Sequence, residues 1–208
     1  GLQIRADGSL VKIEPNPVLR GTIYEPQVLS VSPHVQDEFA LSVRTQVLAV
    51  EDLYGGKICA ALDRQHPRDL FDVKLLLDNE GITDPIRRSF IVHLISHDRP
   101  MSELLDPTFR DLKQIYENEF KGMTFVKTSL KELEEARTDL VRKVREDLTD
   151  GERRFIMSVK QGEPRWELSG LGGIDRLPAV KWKLLNISRM GKAKHASAIR
   201  KLEKCLNS

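Results

Sequence analysis

At Val50 the apolar pattern of this chain changes period, and that change limits the folds open to it. Before it, Val11 and Ile13 alternate with Lys12 and Glu14, and Phe39, Leu41 and Val43 alternate with Ala40, Ser42 and Arg44. A period of two is that of half-buried strands. Residues 28–31 and 47–50 add two more apolar runs, while Pro15, Pro17, Gly21, Pro26 and Pro33 keep every strand short. Asp7-Gly8-Ser9 reads as a hairpin turn between Ile4 and Val11. Four or five short strands leave no room for a complete sheet-plus-helix domain in the first fifty residues, so the chain is expected to begin in the middle of a fold.

After Val50 the period is helical. Leu53, Lys57, Ala60 and Arg64 share one face, and Pro67 stands where a first-turn proline starts the next helix. That helix carries Leu70, Val73, Leu76 and Leu77 and is expected to stop at residues 79–81. Thr83 and Pro85 open a third helix with Phe90, Ile91 and Leu94, and Phe109, Leu112, Tyr116 and Phe120 mark a fourth. Two capping boxes follow, Ser129 with Glu132 and Thr149 with Glu152, in which hydroxyl and carboxylate satisfy the free amides of a helix start. The first introduces an apolar stripe of Leu133, Leu140, Val141, Val144 and Leu148. A further helix opens at 177–180, and Gly191 separates it from a last one ending near Leu206. The predicted class is α+β, mostly helical.

At 208 residues, 40% hydrophobic and 31% charged, the chain has the composition of an ordinary globular protein with a sizeable core, not of a disordered or membrane protein. No apolar run approaches the roughly 20 residues needed to cross a bilayer, and residues 1–10 carry no export signal, so a cytoplasmic protein with no membrane partner is expected. Cys59 and Cys205 are too few for a disulfide framework or a thiolate zinc site. The net charge of +2 says little, but its distribution is uneven. From Arg176 onward Arg176, Lys181, Lys183, Arg189, Lys192, Lys194, Arg200, Lys201 and Lys204 face Glu203 alone. That stretch, with Trp182 between Lys181 and Lys183, suits an RNA backbone. Packing in a core or between domains is the stronger reading of Trp182 with Leu185 and Ile187, and Trp166 reads as a packing residue near a loop.

The densest chemistry lies between Glu51 and Asp72. Glycine inside a helix costs about 1 kcal/mol relative to alanine, so Gly55-Gly56 requires a reason, such as close approach of the backbone to a neighbour or a ligand. Lys57 projects from the same place, and an ammonium is a suitable point charge for triphosphate oxygens. Arg64 and Arg68 add planar forks for phosphate, and Asp69 and Asp72, three residues apart, point the same way and can orient a cation or act on a hydroxyl. Taken singly these residues are explained as well by structure, Arg68 with Asp72 as an ion pair and Asp69 as a favourable charge at a helix start. Taken together they are not, because surface ion pairs do not call for a glycine pair.

Residues 52–73 resemble the paired D-L-x-x-x-K and R-x-x-x-[KR]-D-x-x-D motifs of the AbiEii/AbiGii nucleotidyltransferase toxin family. The likeness extends to Val11-Lys12-Ile13-Glu14-Pro15-Asn16 and to the segment from Leu177 to Asn186. The resemblance implies a partial DNA polymerase β-like nucleotidyltransferase core, here residues 1–80, followed by a helical C-terminal domain, 81–208. It also implies the toxin half of a bacterial type IV toxin–antitoxin pair linked to abortive infection, with a cognate antitoxin as partner. Such a protein binds a nucleoside triphosphate with Mg²⁺ and transfers a nucleotide to an acceptor, RNA such as tRNA being expected. On that likeness Lys57, Arg64 and Arg68 hold the nucleotide, and Lys57, Asp69 and Asp72 form the catalytic set. Glu14 is either a third, metal-binding carboxylate or a solvent-facing strand residue.

The family's Gly-Ser turn and Asp-x-Asp strand have no counterpart before Glu14. Nucleotidyl transfer relies on such carboxylates to hold Mg²⁺ against developing phosphate charge. These residues therefore read as the C-terminal portion of the enzyme, expected not to catalyse without the missing motifs. The rival is a non-catalytic module for RNA or a partner protein that kept the helices and lost the metal site.

Overall fold

A computed structural model describes residues 2–6, 8–13 and 20–207. Strands β1 (Leu2–Ala6) and β2 (Ser9–Ile13) form an antiparallel hairpin with Ile4 opposite Val11, and Gly8, at φ 79°, supplies the left-handed conformation its tight turn needs. A separate antiparallel pair joins β3 (Gln27–Ser30) to β4 (Arg44–Val47), with Val28 opposite Gln46. Between them lies a helix, α1 (Pro33–Phe39), where the alternation from Phe39 to Arg44 predicts a strand. Ser32 is its N-cap, its hydroxyl accepting from the Val35 amide, and Pro33 occupies the first turn. Ala40 then leaves in the left-handed region at φ 48°. This start signal overrides a weak period of two, and of that stretch only Arg44 is in a strand. The strand expected over 47–50 also ends at Val47, because Val50 already belongs to the next helix.

The remainder is helical: α2 (Val50–Arg64), α3 (Pro67–Asn79), α4 (Asp84–Ser96), α5 (Met101–Leu105), α6 (Lys113–Glu119), α7 (Leu130–Glu146), α8 (Asp150–Gln161), α9 (Pro178–Ser188) and α10 (Lys192–Leu206). The described chain is thus α+β and mostly helical. Both capping boxes form, Ser129 with Glu132 and Thr149 with Glu152. Glu152 also accepts from Arg87 Nε at 3.0 Å, a nearly buried ion pair that ties α4 to α8.

α2 lies along α4, α3 packs against α2 and α7, α4 touches α9, and α10 rests on α5 and α8. One cluster of buried side chains runs through all of this, from Ile58, Leu62 and Leu70 to Phe90, Leu104, Leu133, Phe155, Val180 and Leu202, and crosses position 80 without a break. Each such side chain contributes about 1.5–3 kcal/mol on burial. Cys59 and Cys205 are buried, and neither forms a disulfide. Among the described residues no helix is long and apolar enough to cross a membrane.

Candidate functional site

The helix signals that start α2 and α3 also set the geometry of the motif residues. Asp52, only 4% exposed, sits in the first turn of α2. Its Oδ2 accepts from the amides of Ile23 and Tyr24 at 2.9 and 3.0 Å, and its Oδ1 from the Ser89 hydroxyl at 3.2 Å. The motif's first aspartate is therefore a clamp, fastening the 23–24 segment and α4 to α2.

The two glycines that follow have different reasons. A Cβ on Gly55 would stand 2.3 Å from Ser89 Oγ and 2.8 Å from the Phe90 amide, so α2 reaches α4 this closely only because Gly55 has none. A Cβ on Gly56 would meet nothing closer than the His93 ring at 3.5 Å, an ordinary contact. The close approach expected of the pair is thus made by Gly55, to a helix.

α2 ends at Gln65, whose left-handed φ of 51° reverses the chain into α3. The Gln65 amide group donates to Thr108 O at 2.9 Å and accepts from Arg110 N and Arg137 Nη1, both at 3.1 Å, which pins the corner. His66 caps α3, its Nδ1 accepting from the Arg68 amide at 3.2 Å, and Pro67 takes the first helical position. The resulting antiparallel hairpin joins four of the predicted site residues in two ion pairs. Lys57 Nζ donates to Asp72 Oδ2 at 2.5 Å, and Arg64 Nη2 to Asp69 Oδ1 at 2.7 Å.

The first pair is about one-third exposed on both sides, and the Arg64 side chain is 63% exposed. Both cations can therefore be reached from solvent. Asp69 is more enclosed, and its Oδ2 has no hydrogen-bond partner. A buried carboxylate oxygen left unpaired costs free energy, which marks it as an acceptor in waiting.

Arg68 does not join this group. Its guanidinium, 60% exposed, lies 3.9 Å from Glu119 of α6, which also meets His66 Nε2 at 3.2 Å. The ion pair expected between Arg68 and Asp72 is replaced by Lys57 with Asp72. Glu14 lies outside the described residues. Asp69 and Asp72 each face a cation, and among the described residues no group of three or more His, Cys, Asp or Glu could hold a metal ion. These carboxylates do not by themselves fit Mg²⁺.

Beside the hairpin, burial and the nearby Arg20 hold His93 below its usual value against the pull of Asp52. His97 is lowered in the same way, by burial first. In the basic C-terminal stretch Lys183 is buried, and its ammonium donates to the carbonyls of His97 and Arg99 at 2.5 and 2.8 Å. Burial lowers its pKa to about 8. Lys183 is thus unavailable to an RNA backbone, while Trp182 and Leu185, read as packing residues, are about half exposed. Trp166 does pack, on Phe155 at 5.9 Å between ring centres.

A family model described as "Nucleotidyl transferase AbiEii toxin, Type IV TA system" matches residues 1–184. No curated protein and no solved structure matches the chain.

Proposed function

Because the chain belongs to the AbiEii nucleotidyl transferase toxin family of type IV toxin–antitoxin systems, we propose that the α2–α3 hairpin is its nucleoside triphosphate site and that the acceptor of the transferred nucleotide is RNA. The observation that carries this reading is the pair of solvent-reachable cations, Lys57 and Arg64, each held in place by a carboxylate of the facing helix. Phosphate oxygens form charge-assisted hydrogen bonds of the same kind as these carboxylates, and a triphosphate brings several charged oxygens to both cations at once. Arg64 offers a fork and Lys57 a point charge, which together suit a polyphosphate better than either alone.

In this reading Asp72 keeps the Lys57 ammonium aimed across the hairpin until phosphate arrives. Arg64, moving to phosphate, leaves Asp69 free, and Asp69 with its unpaired oxygen then orients the acceptor hydroxyl or takes its proton. Arg68, on the outer side with Glu119, contributes at most to the approach of the nucleotide. The family carries the expectation of a divalent metal, and the hairpin carboxylates, each engaged by a cation, do not by themselves hold one. A cognate antitoxin is the partner the family implies.

A binding module without catalysis is the second reading, favoured by the engagement of both hairpin carboxylates with cations. The test is thermal melting with GTP, ATP, CTP and UTP in turn. At least one triphosphate is expected to stabilise the wild-type chain, by about 2.7 kcal/mol at a hundredfold excess over Kd, and not Lys57→Ala. If no triphosphate shifts the melting temperature, the ion pairs are scaffold and the hairpin reading fails. A shift without nucleotide transfer to RNA, measured in a protein that carries the family's Gly-Ser and Asp-x-Asp motifs upstream of these residues, selects the module.

A further inference from the structure

A cavity of about 590 Å³ opens between α5, α8, α9 and α10, a volume within the range of small-molecule sites. Its walls include Lys160, Lys183, Lys194, Lys201, Trp182 and Met190. Two acids stand at its margin: Glu103 pairs with Arg99 at 3.3 Å, and Asp98, whose Oδ1 accepts from the Arg99 amide at 3.1 Å, is exposed to solvent. Lys183 is engaged by carbonyls. The other three lysines have no carboxylate within ion-pair reach among the described residues.

Lys160 is the telling one. It is 8% exposed, and its Nζ has only the Met190 sulfur, at 3.7 Å, as a partner. Thioether sulfur is a weak acceptor, so this part-buried ammonium is left without a strong hydrogen-bond partner among the described residues. Its place in the last turn of α8 makes the charge tolerable beside the helix carbonyls. It does not explain why Lys194 and Lys201 converge on the same space. Burial and the neighbouring Lys194 both push the Lys160 ammonium toward losing its proton, the direction an incoming anion would reverse. His195 Nε2 lies 2.7 Å from Lys160 O and fastens α10 over the cavity, and the indole of Trp182, 49% exposed, offers a flat apolar wall.

We propose that this cavity binds an aromatic phosphomonoester of mononucleotide size, its phosphate held by Lys160, Lys194 and Lys201 and its ring laid against Trp182. An anion supplies the counter-charge that the chain withholds, and the aromatic wall accounts for the apolar part of the lining. The site is independent of the α2–α3 hairpin. Its roof, α10, lies beyond residue 184, where the family match ends.

The test is calorimetric titration of the full chain with adenosine monophosphate, adenosine and inorganic phosphate, with tryptophan fluorescence followed in parallel. The monophosphate is expected to saturate one site and change the emission of Trp182, with adenosine and phosphate each weaker by about tenfold or more. Lys160→Met is expected to lose about tenfold in affinity for the monophosphate while melting no lower than wild type without ligand. The exposed Lys194→Ala gives a second variant in which folding is not at stake, and it is expected to bind the monophosphate more weakly. Trp182→Leu removes the emission change, and Lys57→Ala leaves the affinity as it was. Equal binding of adenosine and its monophosphate overturns the proposal, as does wild-type affinity in both lysine variants. So does loss of monophosphate binding in Lys57→Ala, which would put the ligand on the hairpin.

Discussion

The α2–α3 hairpin and the cavity under α10 both concentrate cations, but they balance them in opposite ways. On the hairpin Lys57 and Arg64 each meet a carboxylate within 2.7 Å, so the chain sets their geometry before any ligand arrives. In the cavity Lys160, Lys194 and Lys201 meet none among the described residues, and one of them is buried. A matched cation is preorganised and a ligand must displace its partner. An unmatched one is a standing cost that an anion from outside relieves.

The largest expected effect comes from breaking the platform on which the matched pair stands. Gly55→Ala forces a methyl into Ser89 and the Phe90 backbone, and overpacking of this kind costs about 1–3 kcal/mol. Chemical denaturation should show that loss, and the triphosphate-dependent rise in melting temperature should shrink with it. Removing the unmatched charge should act in the other direction. Lys160→Met is expected to stabilise by an amount on the order of 1 kcal/mol in the same denaturation experiment. Removing a matched, one-third-exposed charge should matter less, and Lys57→Met is expected to change stability by no more than about 1 kcal/mol.

Acid provides a further contrast, because the ring behind the hairpin is held below its ordinary pKa mainly by burial. The unfolded chain takes up protons at His93 and His97 more readily than the folded one. Their contribution to stability is therefore complete above pH 6.5 and is lost as pH falls below it. Melting curves between pH 7.5 and about 5.5 should show that decline, and His93→Gln should flatten it. The smallest effect is expected at Gly56, where a methyl fits beside His93. Gly56→Ala should raise stability by about 0.5 kcal/mol, and a loss as large as that of Gly55→Ala would refute the distinction between the two glycines.

Much of the fold was legible because helix starts are local. The Ser129/Glu132 and Thr149/Glu152 boxes need only four residues each, and both form as read. The region before Val50 was harder, since its alternation from Phe39 competes with the Ser32-Pro33 start of α1, and a short helix there wins. α5, five residues long, is too short to show a period. Leu2, Ile4, Leu10, Val11 and Val28 remain exposed, so the period of two named strands there without naming anything that covers them.

In the site, Lys57 with Asp72 and Arg64 with Asp69 follow from helix spacing within one hairpin. The turn of Arg68 toward Glu119 depends on where α6 docks, and no local signal carries it. The structural task of Asp52 was hidden for the same reason, because its partners come from the 23–24 segment and α4. Burial of Lys160 and Lys183 likewise depends on how α9 and α10 close on α5 and α8, which no local signal in the sequence shows.

The most direct test of the hairpin as the triphosphate site is a calorimetric titration of the preferred triphosphate into wild type, Lys57→Ala and Lys160→Met under identical conditions. The expected result is an affinity lowered about tenfold or more in Lys57→Ala and unchanged in Lys160→Met. Equal affinity in wild type and Lys57→Ala, or a loss confined to Lys160→Met, would contradict it.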